Sequence, residues 1–243
     1  MIFKSEHMTQ ASGSIAGVTY GRAKGGVLYR RARAIPVNPA TMFQGQVRDA
    51  MTDLVTRWGT VLTQAQRDAW DLYGQNVLVT NKLGTPVPLS GQNWYIAANT
   101  PRIQQAMKVT GASPTVDVAP SIFDRGAFTT PGTTTLGVAA GLSMPYTDTD
   151  TWASEDDSVM LIYMGRPRNP ARAYFSGPYR LIYGVEGSSV SPPTSPIVRT
   201  TGQVETHGFE LIEGQRVTLQ VAVSRADGRL STRRTIFDGL VVA

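Results

Sequence analysis

Five cationic side chains crowd one short stretch: Arg22, Lys24, Arg30, Arg31 and Arg33, interleaved with Tyr20, Tyr29 and the adjacent glycines Gly25 and Gly26. Guanidinium groups pair with phosphate or carboxylate oxygens, and tyrosine rings stack. The chemistry on offer is anion recognition, either on a nucleic-acid backbone or on the acidic face of a neighbouring subunit. A third reading is a solvated ribbon whose charges block edge-to-edge aggregation. Residues 1–34 hold six cations against Glu6 alone, residues 35–149 carry seven charges of each sign, and residues 150–243 ten of each. The N-terminal segment therefore holds the whole net charge of +5. A basic arm on a neutral body is a local binding device. No DNA- or RNA-binding fold signature accompanies it, which favours docking on a subunit over a grip on nucleic acid.

Catalytic chemistry finds little support. The histidines are His7 and His207, and a nucleophile–histidine–acid set would have to use one of them. His207 reads as part of a turn between strands. The acids of "SEDDS", Ser154 to Ser158, lack the spacing and glycine of a calcium loop and read as a solvated turn. No phosphate-binding glycine loop, zinc-binding helix motif or nucleophile elbow appears. No catalytic residue, cofactor or metal ligand is expected, and the chain is expected not to be an enzyme. A carbohydrate-binding tail component is a further alternative, with no acid pair or aromatic platform behind it.

The elements that would position the arm follow from pattern. There is no cysteine, so no disulfide or thiolate metal site. Charged residues make up 17% of the chain, against about 25% in typical domains. Thr, Gly, Ser and Pro take their place, which favours short strands and turns. No apolar run approaches the roughly 20 residues of a membrane span, and the start lacks a signal-peptide core. A soluble chain made in the cytoplasm, with no membrane partner, is expected.

Residues 1–37 are expected to form the arm, a β-hairpin turning at Gly25–Gly26. Residues 38–110 read as a small helical domain. Its first helix, about 40–58, would be capped by Asn38 with Pro39 and would bury Val47, Met51, Leu54, Val55 and Trp58. A capping box of Thr63 and Gln66 opens the second helix, Trp70 lies on its apolar stripe, and Gly74 can end it. Ser90 would cap a third helix carrying Trp94, kinked or split at Pro101. Val47, Leu54, Trp58, Trp70 and Trp94 are the expected helical core. Residues 111–131 read as a linker. Residues 132–243 read as an antiparallel β-sandwich-like domain, with the clearest strand at 216–224 and a hairpin turn at Asp227–Gly228. The fold class is α+β.

The stretch from Ser12 to Gly74, with "KGG" followed by arginines, "NPATMFQGQVR" and "WGTVLTQAQRDAW", resembles uncharacterised proteins of tailed bacteriophages and prophages. "SGQNWYIAAN" resembles a later helix of the same group, so the likeness spans about residues 12–100. It implies a structural protein of the virion, made in the host cytoplasm and placed at the capsid surface as a decoration protein, in the neck or in the tail. Its partners would be other virion proteins and copies of itself, with nucleic acid as the second class. Arg22, Lys24, Gly25, Gly26, Arg30, Arg31 and Arg33 would make the subunit contact.

Overall fold

A computed structural model describes residues 13–22, 28–34, 41–80, 84–106 and 115–243. These residues form an α+β structure with four helices and four antiparallel sheets. Residues up to Thr41 make one compact unit and residues from Met42 onward a second.

The first unit contains β1 (Gly13–Ile15), β2 (Val18–Arg22) and β3 (Leu28–Ala32), paired in that order as one antiparallel sheet. The second unit opens with α1 (Met42–Thr60), α2 (Gln64–Asn76), the short pair β4 (Val79–Thr80) and β5 (Pro86–Val87), and α3 (Gly91–Ala106). The capping box on α2 is present: the Gln66 N–H donates to Thr63 Oγ1 at 3.3 Å, and the Thr63 N–H to Gln66 Oε1 at 2.8 Å. Such a cap stabilises a helix by about 1 kcal/mol. Asn38 and Pro39 lie outside the described residues.

Two expectations about these helices change. Gly74 does not end α2, which continues to Asn76. It lies where α2 meets the backbone of Leu89, and a Cβ there would collide with that carbonyl. Pro101 does not split α3, which runs from Gly91 to Ala106 as one helix.

The helices enclose a core of Leu54, Leu62, Trp70, Tyr73, Trp94 and Tyr95. Its aromatic rings meet edge to face: Trp70 with Tyr73 and with Tyr95 at 5.8 Å, and Tyr73 with Trp94 at 5.4 Å. Pairs of this kind contribute about 1 kcal/mol each beyond area burial.

The remainder comprises β6 (Thr135–Gly137), β7 (Gly141–Met144), β8 (Val159–Gly165), β9 (Tyr179–Glu186), β10 (Ile197–Arg199), α4 (Thr201–His207), β11 (Arg216–Ser224) and β12 (Arg234–Leu240). One sheet has the order β10-β7-β6 and the other β12-β11-β8-β9. β8 is buried along its whole length, as its unbroken apolar run "VMLIYM" requires. Met160, Ile162 and Met164 face the core shared with Leu142 and Met144 of β7 and Ile197 of β10. Val159, Leu161 and Tyr163 face the other way. α3 lies on that second face, where Gln105 Nε2 donates to the Gly184 carbonyl at 3.3 Å.

Arg102 of α3 is fully buried. It donates to Ser224 Oγ at 3.1 Å and to the carbonyls of Arg225 at 3.3 Å and Asp157 at 2.7 Å. Arg102→Ala removes these donors and opens a cavity beside carbonyls that have lost a partner. It is expected to cost about 3 kcal/mol or more in urea unfolding; a cost below about 1 kcal/mol contradicts this role.

Candidate assembly surfaces

In the first unit β2 and β3 pair as the expected hairpin strands do, and β1 adds a third strand. Ala16 and Gly17 both take positive φ, 47° and 78°, and join β1 to β2. Two successive positive φ values make the tight hairpin turn whose twist matches its strands. "SIAGVTYGR" therefore folds back on itself at Ala16–Gly17, giving Ile15 opposite Val18 and Ser14 opposite Thr19. β2 then pairs with β3, placing Tyr20 opposite Arg30 and Thr19 opposite Arg31.

Opposed residues share a face. One face carries Ile15, Val18, Tyr20, Arg30 and Ala32, and the other Ser14, Thr19, Tyr29 and Arg31. Both faces are thus mixed, with a cation on each. Arg22 lies in β2 and Arg33 just beyond β3, where its N–H donates to the Gly17 carbonyl at 2.8 Å. Lys24, Gly25 and Gly26, and with them the expected turn, lie outside the described residues. No classified residue of this sheet is buried, and Ile15 is 73% exposed.

Leu54, Trp70 and Trp94 of the expected helical core are buried, and Trp58 packs against them half-exposed. Val47 corrects the reading: it is 40% exposed, with Met51 at 45% and Val55 at 46%. The apolar stripe of α1 is wider than the surface its neighbours cover, and these three flank the buried side. Trp152, in a loop, is buried against Tyr146 at a ring distance of 5.5 Å. His207 ends the helix α4 rather than sitting in a turn between strands.

The "SEDDS" turn is built from its own backbone and two neighbours. Glu155 pairs with Arg225, and Asp156 accepts from the Ser189 N–H and Oγ, each at 2.7 Å. Among the described residues no three His, Cys, Asp or Glu side chains are grouped to hold a metal. No helix among them is long and apolar enough to cross a membrane.

A second cationic surface lies in the loop between β8 and β9. "RPRNPARAYFSGPYR", residues 166–180, contains four arginines and no acid. Arg166, Arg168, Arg172 and Phe175 line a pocket of about 430 Å³. Arg168 is buried and shapes the loop: it donates to the Arg172 carbonyl at 2.8 Å, Thr218 Oγ1 at 2.7 Å and Asp238 at 2.6 Å, and it lies 4.9 Å over the Phe175 ring. Arg166 and Arg172 are exposed, and their guanidinium groups make no hydrogen bond or ion pair among the described residues. Burial lowers the pKa of Arg180, and the neighbouring charge of Arg166 lowers it further. Tyr174 stands out at 76% exposure. A charge count over residues 150–243 balances and conceals this loop; a sliding window of about one loop length finds it.

No protein-family model, curated protein or solved structure matches the chain.

Asp238 holds the loop down by pairing with both Arg168 and Arg216. Partial burial pushes its pKa up, but hydrogen bonds from Arg216 and Arg168 outweigh this and hold it below the ordinary value. The stabilisation is complete above the ordinary carboxylate pKa and is lost as pH falls through the lower folded one. Asp238→Asn is therefore expected to lower stability at pH 7, with the gap to the parent closing below about pH 4. Urea unfolding across pH reads this, and a gap independent of pH contradicts it.

Proposed function

We propose that the protein is a structural component of a tailed-phage particle that works by protein–protein assembly through its N-terminal arm. The observation that carries this reading is the three-stranded sheet of β1, β2 and β3, in which no residue whose burial is described is buried. A sheet without a hydrophobic face packed on something is marginal in water. Its outer strands β1 and β3 each have one edge unpaired among the described residues, the groups through which a strand of another chain adds to a sheet. Arg30, Arg31 and Arg33 supply paired hydrogen bonds to carboxylates at that contact. The phage setting comes from the likeness of residues 12–100, and the capsid surface, neck and tail all fit it.

Within this reading the body is a rigid platform. Its two larger sheets, packed about one shared apolar core, are read as a sandwich-like arrangement backed by helices. Nothing in the arm requires a cofactor, and the proposed activity is contact alone.

Deleting residues 1–34 is expected to leave the body folded, because it has its own apolar cores. The near-ultraviolet circular dichroism of the body tryptophans should stay unchanged while incorporation into particles is lost. Normal incorporation of the truncated chain overturns the reading.

A further inference from the structure

We propose that the β8–β9 loop of one copy receives the acidic end of the same sheet on a second copy, so that the bodies associate head to tail. The inference rests on the assembly reading and names one partner for it.

The two ends of the β12-β11-β8-β9 sheet carry opposite charge. Arg166 and Arg172 follow β8 directly, and Arg180 lies at the start of β9, opposite Met164. At the other end Glu155, Asp156 and Asp157 precede β8, and Glu186 closes β9 opposite Val159. The cations at this end are Arg225, paired with Glu155, Arg229, paired with Asp124 and Asp227, and the buried Arg102. Asp157 and Glu186 are exposed, and neither carboxylate accepts a hydrogen bond among the described residues. Each end thus presents two exposed charges of one sign that make no hydrogen bond among the described residues, the acidic pair lying also in the field of the buried Arg102.

Distance keeps the ends from cancelling within one molecule. Seven residues of β8 at about 3.3 Å each separate them by roughly 20 Å. Screening in physiological salt acts over about 8 Å. The two ends are therefore screened from each other and keep separate fields. The pocket beside Phe175 gives the arginine end a concave shape. Carboxylates entering between Arg166 and Arg172 would form paired, charge-assisted hydrogen bonds. A contact between unlike ends is heterologous and repeats, producing a ring when the rotation closes.

The full-length chain is examined by sedimentation velocity at about 20 mM and about 500 mM salt. Association at low salt that is lost at high salt is expected. Arg166→Glu with Arg172→Glu should abolish it, as should Asp157→Lys with Glu186→Lys, whereas a one-to-one mixture of these two variants should restore it. If the lysine variant fails to fold beside Arg102, Asp157→Asn with Glu186→Gln replaces it and should also lose association. A parent chain that is monomeric at low salt overturns the proposal. So does a glutamate variant that still associates, or a monomeric parent whose loop instead binds a single-stranded oligonucleotide. A chain that enters particles through its arm yet stays monomeric at low salt overturns this contact alone and leaves the assembly reading standing.

Discussion

The guanidinium of Arg102 lies fully buried where α3 meets the ends of β8 and β11. A charge without water is costly unless hydrogen bonds and opposite charge replace what it lost. Here the bonds come from Ser224 and from the carbonyls of Asp157 and Arg225. Burial pulls the Arg102 pKa down, and the fields of Asp157, Glu155 and Glu186 pull it back. Asp157 takes φ of 64°, a left-handed conformation costing a non-glycine residue roughly 1 kcal/mol, while its carbonyl receives the arginine. One buried cation on a helix thus ties α3 to the ends of β8 and β11.

The segment after α3 extends that attachment. Residues 115–131 have no regular secondary structure, yet they bind both layers. Asp117 pairs with Arg57 and accepts from the Tyr95 hydroxyl, its carbonyl takes the Trp70 indole N–H, and Asn99 bonds both backbone groups of Val116. Further along, the Asp124 carbonyl takes the Tyr73 hydroxyl, its carboxylate pairs with Arg229, and Arg125 donates to the Leu230 carbonyl. Burial raises Tyr73 and Tyr95 to about 12, so both hydroxyls remain donors throughout the ordinary pH range. A stretch rich in Pro, Thr and Gly reads as a linker because composition reports only what its side chains avoid. Its work here is done by backbone carbonyls and a few charged tips, which have no periodicity.

Much of the scaffold was legible where burial imposes a period. β11 coincides with the 216–224 pattern because alternate residues enter opposite cores, and Leu54, Trp70 and Trp94 follow the helical repeat inward. Val47 fits the same repeat but lies at the margin of a stripe wider than its cover. α4 shows no helical repeat although Thr200 and Gln203 form the same capping box as on α2, because a helix of seven residues offers too few turns. The turn at Ala16–Gly17 was hidden because alanine seldom takes positive φ. The arginine loop was hidden by averaging, since its four cations are balanced by acids elsewhere in the same half of the chain.

The proposed assembly device is therefore an arm with no core of its own, beside a second unit whose helices and strands are joined through Arg102 and residues 115–131. Hydrogen–deuterium exchange tests this most directly, because amide protection reports whether a segment has a stable partner. In the free monomeric chain, the amides of β2 and β3 should exchange far faster than those of β8 and β11. They should become protected when the chain is assembled. Protection of β2 and β3 equal to that of β8 in the free monomer would contradict the account.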